Sequence, residues 1–449
     1  MSRLFGTDGI RGVVNESLTP ELAYHLGRAA AYYFGREKEH PVFLIGRDTR
    51  RSGTMLEAAL AAGICSVGGN VIHLGIVPTP AVAYLTKKHQ YEAGIMISAS
   101  HNPFQDNGIK FFDHNGFKLP DATEDELEQI LLQDSRGELD ARPTGAGIGA
   151  VEIRPELRDE YIDFICSTTD VRLDGLRIVH DAANGSASQV GPEIFRRLGA
   201  SVVSIHNQPN GININDHCGS THMESLKETV LQTKAQIGIA NDGDADRCLI
   251  VDELGREMDG DQIMFLCAKD LKEQGRLKKD TVVGTVMSNI GFHKAVAAIG
   301  CQTVTTGVGD RYVLERMLQD GYCLGGEQSG HVIFLDHNTT GDGILTAVQI
   351  LALLKKKGCP LSELAGEMKK YPQKLVNVRV TSQLGWEKHS LIMAAIAAGE
   401  AELGEEGRIL VRASGTEPLI RVMAEGPDQE ELDRITQDIA AVIEREIGI

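Results

Sequence analysis

Short apolar runs that end in polar turns recur along the chain. Val42-Phe43-Leu44-Ile45-Gly46-Arg47-Asp48 is the first, and it reads as a buried strand emerging at the surface. Small residues follow at Ala58-Ala59-Leu60-Ala61-Ala62-Gly63, then a break at Gly68-Gly69-Asn70, then a second strand at Val71-Ile72-His73-Leu74. The order returns at Leu176–Asp181, with a turn at Ala183-Asn184-Gly185, a stop at Leu198-Gly199-Ala200 and a strand at Ser201–Ile205. A third copy begins at Thr281–Thr285, turns at Ser288-Asn289, stops at Ile299-Gly300 and ends in the strand Cys301–Thr305. Each copy is strand, polar turn, amphipathic helix, glycine stop, strand, which is a right-handed βαβ unit. Three copies predict three similar α/β domains with mixed, mostly parallel sheets. One large doubly wound sheet would show the same pattern.

The carboxyl end follows a different rule. Leu375–Val380 alternates as an amphipathic strand, and a helix is predicted from about Ser390 to Gly404. Strands Arg408–Arg412 and Leu419–Ala424 flank Ala413-Ser414-Gly415-Thr416-Glu417-Pro418, and a last helix spans about Asp428–Glu446. This predicts a smaller α+β domain. The expected divisions are 1–154, 155–253, 254–371 and 372–449, with a Gly-rich polar excursion at Asp134–Gly149.

Composition narrows the class. A chain of 449 residues exceeds one ordinary core, which agrees with several domains. A net charge of −18 argues against nucleic acid or an anionic membrane as main partner, but not against a small anionic substrate. The eight cysteines form no C-x-x-C pair, so neither a zinc framework nor disulfides are indicated. No signal-peptide core and no membrane-length apolar run is seen, and a cytoplasmic location is expected.

Several loops carry chemistry. The apolar run Ala93–Ile97 stops at Ser98-Ala99-Ser100-His101-Asn102-Pro103, presenting the Ser100 hydroxyl where open α/β sheets bind ligands. That cluster is turn and helix-cap chemistry, so Ser100 could also cap a helix. After Ile237–Ala240 comes Asp242-Gly243-Asp244-Ala245-Asp246-Arg247. Carboxylates at alternate loop positions converge on a hard cation and leave room for a phosphate, as Mg2+ sites do. An EF-hand loop is the rival, but Arg247 stands where its glycine is required. A third loop, Gly325-Gly326-Glu327-Gln328-Ser329-Gly330-His331, mixes donors and acceptors suited to sugar hydroxyls. A fourth, Arg412 to Pro418 with Arg421 beyond, offers two guanidinium groups and Ser/Gly/Thr donors for a phosphate. A fifth, Gly6-Thr7-Asp8-Gly9-Ile10-Arg11-Gly12, lacks the βαβ context of a dinucleotide fingerprint.

In this order the motifs resemble the α-D-phosphohexomutase superfamily over essentially the whole chain. Asp106–Phe112, Cys218-Gly219-Ser220-Thr221-His222, Gly307–Val313 and Gln328 further resemble its hexosamine-phosphate branch. The resemblance implies that Ser100 carries a phosphoryl group and that Asp242, Asp244 and Asp246 hold Mg2+ together with that phosphate. It implies interconversion of glucosamine 6-phosphate and glucosamine 1-phosphate, with glucosamine 1,6-bisphosphate (or another hexose bisphosphate) as intermediate and activator. Glu327, Ser329 and His331 would bind the sugar, and Arg412, Ser414, Gly415, Thr416 and Arg421 the distal phosphate. His101, Lys110, Arg11 and Arg247 would steer protons and charge, Lys110 with a lowered pKa if it is a base. The implied partner is a hexosamine phosphate, in a monomer or a homodimer, for amino-sugar precursors of the cell wall.

Overall fold

The computed structural model describes residues 3–6, 8–36, 38–414 and 418–449. The sequence repeats appear as three copies of one sheet. In the first, β1 (Ile10–Val13), β2 (Val42–Arg47), β3 (Asn70–Ile76), β4 (Ala93–Ile97), β5 (Asp106–Asp113) and β6 (Val151–Ile153) lie in the order β1-β5-β4-β2-β3-β6. The second holds β7 (Arg177–Asp181), β8 (Ser201–Ile205), β9 (Ile237–Asn241), β10 (Cys248–Asp252) and β11 (Glu257–Met258), ordered β11-β10-β9-β7-β8. The third holds β12 (Thr281–Thr285), β13 (Gln302–Thr306), β14 (Leu324–Gly326) and β15 (Val332–Phe334), ordered β13-β12-β14-β15.

The shared part is more than a βαβ unit. In each copy three successive strands run parallel (β2, β3 and β4; β7, β8 and β9; β12, β13 and β14), and the next (β5, β10, β15) returns antiparallel beside the third of them. The helices recur as well: α1 (Pro20–Phe34) precedes the first copy, which carries α2 (Gly53–Cys65), α3 (Thr79–His89) and α4 (Asp121–Ser135). The second is preceded by α5 (Leu157–Ser167) and carries α6 (Ala187–Arg197), α7 (Glu224–Thr233) and α8 (Gly260–Glu273). The third carries α9 (Ile290–Ala298), α10 (Asp310–Asp320) and α11 (Gly343–Lys357), followed by α12 (Leu361–Ala365). One consequence matters for chemistry: the β4–β5, β9–β10 and β14–β15 turns occupy equivalent positions. They are the serine, aspartate and sugar loops of the sequence.

The last unit is an antiparallel sheet of β16 (Gln373–Arg379), β17 (Arg408–Ala413) and β18 (Leu419–Glu425) in the order β16-β18-β17. It is backed by α13 (Ser390–Leu403) and α14 (Gln429–Ile447), which Asp428 caps by accepting from Glu430 and Glu431 N–H groups. The architecture is therefore the expected three α/β units plus a smaller α+β unit.

Apolar packing divides the molecule unevenly. One continuous core runs from Leu44 and Met96 through Tyr161 and Ile239 to Phe265 and Leu351, joining the first three sheets. The fourth unit buries Val378, Ile420, Val422 and Ile439 in a core of its own. It meets the third through polar groups: Glu425 accepts from Asn289 Nδ2 (3.2 Å) and Ile290 N (3.0 Å), and Arg408 reaches the Ser288 carbonyl.

Candidate active site

Ser100 sits in the β4–β5 turn, 2 % exposed, with a left-handed backbone (φ 53°). No helix starts there, so the helix-cap role is not realised; the chain turns straight back into β5. The turn is held by buried polar groups. Ser98 Oγ donates to Asp48 (2.7 Å) and accepts from Ser100 N (2.9 Å). The buried Arg50 pairs with Asp48 at 2.8 Å and donates to the carbonyls of Ser100 (3.0 Å) and Asn102 (2.9 Å). Asn215 Nδ2, from the second unit, donates to the same two carbonyls at 2.8 and 3.0 Å. With its carbonyl held twice, the residue aims its hydroxyl at Asp242, donating to Oδ2 at 2.5 Å.

Asp242, Asp244 and Asp246 bring carboxylate oxygens within 4.8 Å of one another, all buried. Burial and the neighbouring Asp246 and Asp244 push the Asp242 carboxyl well above its ordinary range, and Asp246 is raised by burial and Asp244. Asp244 Oδ1 and Asp246 Oδ1 have no hydrogen-bond partner among the described residues. Orphaned buried carboxylate oxygens on converging, mutually repelling groups fit a hard divalent cation such as Mg2+. Ala245 takes a left-handed conformation (φ 59°) inside this loop. Gly243 must stay small, because a Cβ there would lie 2.6 Å from the Ser100 carbonyl.

Lys110 on β5 is buried beneath the loop, 2.9 Å from Asp244, 2.8 Å from Asp8 and 3.9 Å from Asp246. Burial alone would lower its pKa, but Asp244, Asp8 and Asp246 together carry it above the ordinary lysine value. The lowered pKa expected of a base at Lys110 is thus corrected: the shift runs the other way. Asp244 is the counterpart, held below its range despite burial by Lys110 and by the Thr79 hydroxyl at 2.7 Å. His101 Nδ1 lies 3.4 Å from Ser100 Oγ. Burial, then Arg247 and Arg11, push its pKa down to about 4, so the imidazole is neutral near pH 7.

The stretch from Gly6 to Gly12 is only partly a loop, since Ile10–Val13 is β1, paired with β5 at Ile10↔Ile109. That pairing sets Asp8 and Arg11 beside the serine turn, with Asp8 contacting Arg11, Lys110 and Lys118. Lys118 bridges Asp8 to Asp310 of the third unit. The β14–β15 turn lies next to the aspartate loop, with Cys248 N donating to the Gly330 carbonyl at 2.9 Å. His331 Nε2 approaches Asp310 at 3.3 Å and Asp246 at 3.9 Å. Glu327 Oε1 accepts from Gly309 N at 3.0 Å, and Ser329 Oγ is without a partner among the described residues. A cleft of about 610 Å3 opens between these elements, lined by Arg11, Ser100, Asp246, Arg247, Glu327 and His331, and also by Asp8, Lys118 and Asp310.

The fourth loop stands apart. Arg412 and Arg421 are directly opposed across the β17–β18 ladder. Burial and the facing Arg421 lower the Arg412 pKa, and Arg421 Nη2 lies 3.5 Å from Ser414 Oγ. Gly415 and Thr416, with Thr7 and Glu417 of the same motifs, lie outside the described residues. None of Arg412, Ser414 and Arg421 lines the cleft. Arg50, Asn215, Lys118, Asp8 and Asp310 were not singled out from the sequence. Asp8 and Asp310 lie within motifs read from the sequence but were given no role there, and only the fold brings all five to the site.

Comparison with known proteins gives consistent matches. Residues 2–138, 159–255 and 259–371 match the family models for phosphoglucomutase/phosphomannomutase alpha/beta/alpha domains I, II and III. Residues 375–442 match that family's C-terminal domain. The phosphoglucosamine mutase of Heliobacterium modesticaldum is 54% identical, spanning 99% of this chain and 100% of its own. That of Geobacillus thermodenitrificans is 54% identical over 100% of both. Among solved structures, a phosphoglucomutase/phosphomannomutase family protein of Burkholderia thailandensis superimposes with a TM-score of 0.83 at 24% identity, covering 100% of both chains. The N-acetylphosphoglucosamine mutase of Aspergillus fumigatus, solved with GlcNAc-6P and magnesium, does so at 0.68 and 18% identity, covering 98% of this chain and 95% of its own. A serine-to-alanine variant of the same fungal enzyme, solved with glucose 1,6-bisphosphate, gives 0.68 at 19% identity, covering 100% and 96%.

Proposed function

The chain belongs to the phosphoglucosamine mutases of the phosphoglucomutase/phosphomannomutase family, and on that premise we propose how its own residues move a phosphoryl group. The reaction interconverts glucosamine 6-phosphate and glucosamine 1-phosphate. Ser100 carries the phosphoryl group as a phosphoserine. The sugar 1-hydroxyl attacks its phosphorus, the bond to Ser100 Oγ breaks, and glucosamine 1,6-bisphosphate forms. The bisphosphate turns over in the site and returns its 6-phosphoryl group to Ser100. The observation that carries this reading is the Ser100 hydroxyl pressed against Asp242 at 2.5 Å, at the wall of the cleft.

The remaining roles follow from charge and position. Mg2+ held by Asp242, Asp244 and Asp246, with a phosphoserine oxygen, would neutralise charge on the transferring group. The neutral His101 imidazole is set to accept the proton of the attacking hydroxyl. Lys110 anchors Asp244 and adds positive charge near the phosphoryl oxygens. Arg11 and Arg247 line the same cleft as Glu327 and His331; Glu327 and His331, with Ser329 from the same turn, would hold the sugar. Arg412, Ser414 and Arg421, with Gly415 and Thr416, grip whichever phosphate is distal. The GlcNAc-6P, magnesium and glucose 1,6-bisphosphate found with the fungal relative support these ligand classes.

Eight unpaired cysteines suit a reducing cytoplasm, and no described helix is long and apolar enough to cross a membrane. The test is a coupled assay of the Mg2+-loaded, phosphorylated protein on glucosamine, glucose and mannose 6-phosphates. Glucosamine 6-phosphate is expected to give the highest kcat/KM, and Ser100→Ala to abolish turnover. Preference for a neutral hexose would overturn the substrate, and substantial residual activity in Ser100→Ala would overturn the phosphoserine.

A further inference from the structure

A second set of metal-ligating side chains lies outside the cleft, and the mechanism does not use it. Asp181 ends β7, His206 directly follows β8, and Cys218 lies on the connection from β8 to α7. Each offers one ligand atom, and the three atoms lie within 4.8 Å of one another. Asp181 and Cys218 are fully buried, whereas the His206 side chain is 29% exposed, so solvent reaches the group from one side.

The carboxylate is already oriented. Asp181 Oδ1 accepts from Ala183 N at 2.9 Å, Oδ2 accepts from Gly219 N at 3.1 Å, and His206 Nδ1 lies 2.9 Å from Oδ2. Hydrogen bonds of this kind fix ligating groups from behind in metal sites. The backbone is left-handed at His206 (φ 43°), Asn215 (φ 59°) and His217 (φ 51°).

We infer that Asp181, His206 and Cys218 form a second metal site, for a borderline-soft divalent cation of the Zn2+ class. One carboxylate, one imidazole and one thiolate form a mixed O/N/S donor set. Zn2+ accepts such a set tetrahedrally with water in the fourth position, whereas Mg2+ takes oxygen ligands. On binding, the Cys218 thiol loses its proton to solvent. His206 binds through Nδ1 as the Nε2–H tautomer, in place of its contact with Asp181.

The site has a mechanical consequence. The segment between His206 and Cys218 carries Asn215, which holds the Ser100 and Asn102 carbonyls, and Gly211, whose carbonyl accepts from Arg51 N at 2.8 Å. A cation joining both ends of this segment to β7 steadies the serine turn from the second unit.

The test is a Co2+ titration of the full chain with the aspartate loop saturated by excess Mg2+. A thiolate–Co2+ charge-transfer band in the near ultraviolet is expected, saturating at one equivalent and reversed by Zn2+. It should vanish in Cys218→Ser, persist in Asp242→Asn, and shift to at least tenfold weaker affinity in His206→Gln. His206 is partly exposed, so that variant carries the test if Cys218→Ser fails to fold. Absence of a thiolate band in the wild-type chain, the same band in Cys218→Ser, or unchanged affinity in His206→Gln would each overturn the site and leave a hydrogen-bonded brace only.

Discussion

A side chain with a Cβ is strained at the backbone angles Ser100 adopts, and that strain is separable from its chemistry. At φ 53° glycine is at ease and alanine is not. Ser100→Gly should therefore be about 1 kcal/mol more stable than Ser100→Ala, with both inactive, as read from paired urea unfolding curves. His101 makes a second case. Its pKa in the folded chain is about 4 against an ordinary 6.5, so the unfolded chain takes up the proton first as pH falls. Stability present above pH 6.5 should thus decline as pH drops through that window towards 4, and His101→Gln should flatten that part of the profile. The sequence displayed Ser100 and the aspartates because each follows an apolar strand and breaks into polar residues. It did not display Arg50 or Asn215, since each lies in a polar stretch where nothing in the pattern singles out one arginine or asparagine from its neighbours. It misjudged Lys110, whose pKa depends on carboxylates contributed by distant strands.

Among elements, hairpins do the positioning. The βαβ copies were legible from alternating apolar runs and glycine stops. The antiparallel returns β5, β10 and β15 belong to the same repeat but differ in sequence, because each follows a turn with its own chemistry. β1 was hidden for another reason: it is short, and its partner β5 lies far along the chain. The β17–β18 ladder sets Arg412 directly opposite Arg421, two guanidinium groups that a bound phosphate would bridge. Arg412→Met should leave thermal stability unchanged or slightly raised. It should also weaken binding of either sugar phosphate by about 1.5–3 kcal/mol, a KM increase of roughly ten- to a hundredfold. An unchanged KM in the coupled assay would remove this ladder from phosphate recognition.

At the scale of the whole molecule, three units share one core and the fourth has its own. The β17–β18 ladder with Arg412 and Arg421 does not line the cleft, and its unit meets the third through the Asn289–Glu425 and Arg408–Ser288 contacts. A polar seam resists sliding far less than a shared apolar core does. Small-angle scattering should therefore record a smaller radius of gyration when glucose 1,6-bisphosphate is added to Mg2+-loaded Ser100→Ala. The contraction should be lost on replacing both Arg412 and Arg421 by Ala; equal radii with and without the bisphosphate would rule out the motion. The equivalence of the three turns has a consequence for how such a catalyst is inherited and rebuilt. The three turns stand on one repeated chassis as separate cassettes, so on the proposed roles sugar preference could drift in the Glu327–His331 hairpin while the Ser100 and aspartate turns stay as they are.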